Sequence, residues 1–184
     1  TTDITMEGIW TPLGLGESGS YTDKDFSGAP FKGIIDGNGH TIYGMNTGKL
    51  ETYAGVGLVA ALHSSGTIRN LTISNANVYA RYWAGAIAGL NNGTIENCHV
   101  VDSVIAGREG TNPQTEYNYV GGSQIGGITG WNCASGHITD CSVMTTSVLG
   151  NRFIGGIAGA NNGLIEKTFV RDCAPSDDGS STSC

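Results

Sequence analysis

Gly85-Ala86-Ile87-Ala88-Gly89-Leu90-Asn91-Asn92-Gly93-Thr94-Ile95-Glu96-Asn97-Cys98-His99-Val100 is one of four versions of a single stretch; the others run Gly57–Ile73, Gly126–Val143 and Gly155–Val170. Each has a glycine-rich apolar run, a polar turn with Gly, an Ile, and a short strand of alternating character. Aligning the Gly-x-Ile step places Ile68, Ile95, Ile138 and Ile165 at separations of 27, 43 and 27 residues. A period of this size is the mark of stacked structural units, each too small to bury a core alone.

Within one unit, Ala80 to Gly107, the run Ala84–Gly89 reads as a buried strand. Asn91-Asn92-Gly93 is a turn, because Asn and Gly tolerate positive φ. Ile95 then points inward and Glu96 outward. Asn97 sits at a corner, with Asn70, Asp140 and Lys167 as its equivalents; short polar side chains cap backbone groups at bends. The unit is expected to hold three short strands and three turns. Stacked copies pair in parallel about 4.8 Å apart, like on like. The expected inward columns are Leu58, Ile87, Ile128, Ile157; Ile68, Ile95, Ile138, Ile165; Ile73, Val100, Val143, Val170; and Val78, Ile105, Val148.

The 30 glycines and many β-branched residues disfavour a helical repeat, and a sandwich has no need of like-on-like register. The reading is therefore all-β: a right-handed parallel β-helix of about 5–6 coils, its hand taken from the preference of parallel crossovers. Residues 1–172 form the solenoid. Residues 1–50 are more aromatic and less regular, as an atypical N-terminal cap would be, with an excursion over Gly16–Asp25. An insertion at about 108–123 projects from one face, and 173–184 reads as a flexible tail or linker.

Charged residues make up only 14% of the chain and the net charge is −7, which argues against nucleic acid or an anionic membrane as partner. No apolar run is long enough to span a bilayer. The chain opens at Thr1 without Met and is expected to be a mature or excised piece of a longer protein. Of five cysteines, Cys98 and Cys141 share a slot with Leu71 and Thr168, a small inward position; two packed thiols are expected, with a bridge between the strands as the alternative. Cys133, Cys173 and Cys184 lack zinc spacing, and the four histidines lack ligand partners, so no metal or cofactor is expected. Asp36-Gly37-Asn38-Gly39 is too short for a calcium loop and reads as a capped turn.

The repeat Gly-Gly-Ile-Ala-Gly-x-Asn-x-Gly-x-Ile-x-Asn-Cys-x-Val, seen with small departures at Gly85–Val100 and Gly155–Val170, resembles the GLUG motif. The opening, with Asp3-Ile4, Trp10-x-Pro12-x-Gly14 and Phe31-x-Gly33-x-x-Asp36-Gly37-Asn38-Gly39-His40-x-Ile42, resembles the segment that precedes such arrays. The resemblance implies a bacterial protein, extracellular or at the cell surface, often an adhesin-like stalk. The motif also occurs beside the catalytic part of some immunoglobulin-A-cleaving metallopeptidases. No His-Glu-x-x-His motif is present, so that activity does not carry over.

The binding candidates are Trp83, Tyr117, Tyr119 and Trp131: flat rings beside a loop stack on sugars or receive a protein. The competing reading has the loop tyrosines merely covering Trp83 or Phe153. The expected function is a non-catalytic surface or secreted module, an adhesin or stalk contacting host or microbial glycan or protein. One alternative is a carbohydrate-active β-helix enzyme using Glu96 and Glu166, which share an outer column at about 9–10 Å. The other is a self-assembling fibre subunit, associating through open coil ends.

Overall fold

A computed structural model describes residues 2–15, 29–47, 54–80, 82–107, 123–150 and 152–172. The excursion over Gly16–Asp25, nearly all of the insertion and the tail at 173–184 lie outside the described residues. Within them the chain is all-β and every pairing is parallel.

The first coil has β1 (Ile4–Thr5), β2 (Ile9–Trp10) and a bridge from Leu13 to Val59. The second is entered through a bridge from Phe31 to Leu62 and has β3 (Ile34–Asp36), β4 (Thr41–Tyr43), β5 (Asn46–Thr47), β6 (Ala54–Val56) and β7 (Val59–Leu62). The third has β8 (Thr67–Ser74), β9 (Asn77–Ala80), β10 (Tyr82–Ala84) and β11 (Ala88–Asn91). The fourth has β12 (Thr94–Val101), β13 (Val104–Gly107), β14 (Ser123–Gly126) and β15 (Thr129–Asn132). The fifth has β16 (His137–Thr139), β17 (Ser142–Met144), β18 (Ser147–Leu149), β19 (Arg152–Gly155) and β20 (Ala158–Asn161). The sixth has β21 (Leu164–Glu166) and β22 (Phe169–Arg171).

Stacking these coils makes four parallel sheets, here called faces 1 to 4 in chain order. Face 1 holds β1, β3, β4, β8, β12, β16, β17, β21 and β22. Face 2 is β2-β5-β9-β13-β18, face 3 is β6-β10-β14-β19, and face 4 is β7-β11-β15-β20. This is the parallel β-helix expected from the repeat. A coil crosses four faces, however, and complete coils hold four or five strands, not three. The run Ala84–Gly89 is no single strand: it folds at Gly85-Ala86-Ile87 into β10 and β11. Glycine allows that corner because a Cβ on Gly85 would lie 2.4 Å from Thr129 Cα of the next coil.

Register follows the repeat. Ile35, Ile68, Ile95, Ile138 and Ile165 lie one above another. So do Ile42, Ile73, Val100, Val143 and Val170, and Val78, Ile105 and Val148. At the corner, Val59 N–H donates to Ile87 O and Ile87 N–H to Ile128 O, each at 3.0 Å, so the turns are stacked as tightly as the strands. Ile68, Ile73, Ile87, Ile95, Ile105, Ile128 and Ile138 are fully buried. Burying one such side chain is worth about 1.5–3 kcal/mol.

Face 1 bends where Asn70, Asn97, Asp140 and Lys167 take left-handed φ values of 54°, 48°, 53° and 50°. Asn and Asp bear this conformation at least cost among residues with a Cβ. The bend is laced from coil to coil: Asn97 Nδ2 donates to Asn70 Oδ1 at 2.9 Å and Asn70 Nδ2 to Asp36 Oδ1 at 3.0 Å. A second ladder runs inside the turn after face 4. Asn91 Nδ2 donates to Asn132 Oδ1 and Asn132 Nδ2 to Asn161 Oδ1, both at 2.8 Å.

Candidate functional site

Two of the binding candidates, Trp83 and Trp131, meet where face 3 turns into face 4. Trp83 lies in the middle of β10 with φ 52°, and its column mates Gly55, Gln124 and Phe153 also have positive φ, at 80°, 55° and 52°. Each face 3 strand therefore kinks at the same level. The kink presses its backbone against face 4 of the following coil: a Cβ on Gly89 would sit 2.3 Å from Gly55 Cα, and one on Gly130 2.5 Å from Trp83 Cα. The second glycine of each apolar run is a spacer for this contact. Face 4 of the second coil carries Ala60 in that slot, and among the described residues the first coil has no face 3 strand to press against it.

Trp83 thus packs with Ala61 and Leu90 in an apolar cluster separate from the main core, with Tyr82, Trp131 and Cys133 against it. Ala61, Leu90 and Trp131 are register partners on successive coils, so the cluster is itself a ladder. The Trp83 and Trp131 rings stand 6.3 Å apart at 41°, and Tyr82 and Trp83 6.4 Å apart at 49°, both within the range of favourable tilted pairs. Trp131 is half-buried, and its indole N–H donates to Asn162 Oδ1 at 2.9 Å, which holds the ring in place. Burial raises the Cys133 thiol above its ordinary range; contact with Asn92 only partly offsets this.

The structure brings Trp83 and Trp131 together but changes the role of Trp83. It is 8% exposed and works as the floor of the patch, not as a free platform. The reason is the left-handed kink, which a strand pattern in sequence does not reveal. Trp131 is the accessible ring. Tyr117 and Tyr119 lie outside the described residues. Sequence reasoning missed Leu90 and Asn162; the signal was there in the register, since Leu90 precedes Trp131 in the face 4 ladder.

The outer column of face 1 runs Asp36, Arg69, Glu96, Thr139, Glu166. Glu96 and Glu166 are two layers apart with Thr139 between them. Glu166 Oε1 lies 3.1 Å from His137 Nε2, and Arg69 Nε donates to Asp36 Oδ2 at 2.9 Å. Asp36 also accepts from Asn70 Nδ2 and the Asn38 N–H, and these bonds, the amide first, hold its carboxyl below the usual range. Asp36-Gly37-Asn38-Gly39 is therefore the capped turn expected. At the first coil Asp3 accepts from the Thr41 N–H at 2.9 Å and faces His40 Nδ1 at 3.3 Å, which lowers its pKa.

Cys98 and Cys141 are both fully buried free thiols in the core. The Cys98 N–H donates to Cys141 Sγ at 3.4 Å, and Cys141 Sγ–H reaches Thr139 O at 3.1 Å. Their mutual hydrogen bond and burial push the Cys98 thiol well up. No group of three or more His, Cys, Asp and Glu is placed to hold a metal among the described residues.

Over 109 residues the chain is 38% identical to halomucin of Haloquadratum walsbyi (strain DSM 16790 / HBSQ001). That segment is 59% of this chain and 1% of halomucin. No family model matches the chain, and no solved structure does.

Proposed function

We propose that this chain is a rigid, non-catalytic module of a cell-surface or secreted protein that presents the Trp131 patch to a glycan or protein ligand. The observation that carries this reading is the half-buried Trp131 ring, pinned by Asn162 and floored by Trp83 and Leu90. A ring held in one orientation loses little entropy on stacking against a sugar or an apolar side chain. The long parallel stack beneath it supplies the stiffness a stalk needs. The extracellular setting is supported by the resemblance to GLUG repeats and by the similarity to halomucin. Glycan-array and pull-down screening of the whole chain tests the reading, with Trp131→Ala as control. Binding that Trp131→Ala abolishes, with the fold intact by circular dichroism, is the expected result. Binding unchanged in that variant removes the patch from the function.

A second reading, glycan hydrolysis on face 1, is favoured by one observation: Glu166 is paired to His137 in the same outer column as Glu96. Turnover of a polysaccharide that Glu166→Gln and Glu96→Gln each abolish is its test; no turnover across a broad panel removes it.

A further inference from the structure

Among the described residues, the large apolar side chains left exposed are confined to the two ends of the solenoid. Ile4, Ile9, Ile34 and Tyr43 lie in the first two coils, and Phe153, Leu164 and Phe169 in the last two. The columns show why this matters. Ile34, 66% exposed, heads a column whose inner members are Thr67, Thr94 and His137, and whose last member is Leu164, 52% exposed. Phe169 ends a column of Thr41, Thr72, His99 and Ser142. Ile9 heads Asn46, Asn77, Val104 and Ser147. Positions that are mostly polar along the rod become large and apolar at its rims.

Both rims also expose unpaired strand edges. Among the described residues, β1, β2, β3 and β6 at the head and β18 to β22 at the tail pair on one side only. At the head the core itself opens in an apolar mouth of about 490 Å³ lined by Ile4, Met6, Trp10, Leu13, Ile35 and Leu58. Edges of this kind are templates for further pairing unless charge or cover blocks them.

We propose that copies of this chain dock head to tail along the solenoid axis, the tail of one continuing into the head of the next. Head and tail are opposite ends of one parallel ladder, so they share its strand spacing and direction. Continued in register, Leu164 stacks on Ile34 and Ile165 on Ile35 of the next copy, which covers two apolar rims at once. Glu166 then meets Asp36; their bonds to His137 and Arg69 offset the like charge. In that register β1 and β22 fall in the same layer, and β1, two exposed residues paired only to β4, yields its place. A contact between unlike surfaces does not close on itself, so the product is an open linear chain.

Sedimentation velocity on the full 184-residue chain over a wide concentration range is the test. Wild type is expected to rise past twice the monomer mass as concentration increases. Ile34→Lys blocks the head and Leu164→Lys with Phe169→Lys blocks the tail. Each variant alone stays monomeric, while their mixture forms a one-to-one dimer and nothing larger, because one free tail then meets one free head. A wild type monomeric throughout overturns the proposal. So does self-association of either variant alone, since it means like ends pair. These sites are exposed, so the fold is expected to hold; if circular dichroism shows that Ile34→Lys unfolds, Ile9→Lys blocks the same rim.

Discussion

Asn132 offers the sharpest test of what holds adjacent coils together. Its side chain is fully buried. It accepts from Asn91 Nδ2, donates to Asn161 Oδ1 at the same 2.8 Å, and reaches Gly136 O and Leu164 O at 3.3 Å. The column begins with Leu62, which fills the slot above a turn of the same longer form, so Leu fits the space. Asn132→Leu therefore removes the polar ladder without opening a cavity. Asn91 Nδ2 is left buried with no acceptor, a loss of about 1–3 kcal/mol. Gly136 O keeps its bond from the Leu164 N–H at 2.9 Å, and exposed Asn161 can turn to water, so neither adds much. For a chain of this length about 2 kcal/mol lowers Tm by roughly 4–8 °C. Thermal and urea unfolding followed by circular dichroism read the change, and Asn132→Ala should fall further because it adds a void. A variant Asn132→Leu as stable as wild type, or more so, would refute the ladder as a source of cohesion and leave the slot as ordinary core.

Gly130→Ala should be worse than its chemistry suggests, by about 3 kcal/mol or more, since the new Cβ lies 2.5 Å from Trp83 backbone that cannot swing away, whereas Ala60→Gly at the same slot of the second coil should cost about 1 kcal/mol; equal effects by urea unfolding would show that the kink is not what demands glycine. Asp36 is held below its usual pKa, so its stabilisation is complete above the ordinary carboxylate value of 3.8 and is lost as pH falls through the lower folded value. Asp36→Asn should flatten acid unfolding below about pH 4, and an unchanged acid limb in pH-scanned melts would count against the Asn70 and Arg69 contacts. Cys98 and Cys141 should resist alkylation in the native state and both label in denaturant without reductant; a bridged Cys98–Cys141 peptide by mass spectrometry would contradict the free thiols.

The relation between sequence and structure is clearest at the Ile95 level. Ile68, Ile95, Ile138 and Ile165 were readable as one column because a parallel stack repeats the same local chemistry at every turn, and spacing alone reports it. The corner at Asn97 was readable for the same reason, as short polar residues recur there. The division of Ala84–Gly89 into two strands was not. Its glycines look like any small apolar run, and their purpose lies in the neighbouring coil, where Thr129 and Gly55 backbone come within van der Waals range.

The aromatic patch divides in the same way. Trp131 stands out in the sequence as a ring in a long turn, but Trp83 reads there as a second platform because nothing local marks its left-handed φ. The amino-acid order alone determined the repeat, the parallel register, the buried columns and the level of each bend, since all of these are periodic and a period survives in one dimension. Only the folded chain decided how many faces a coil has, which tryptophan is floor and which is surface, and that polar columns turn apolar at both rims. Those features arise from contacts between residues roughly 30 to 50 positions apart, where one coil's backbone sets the space its neighbour must fill.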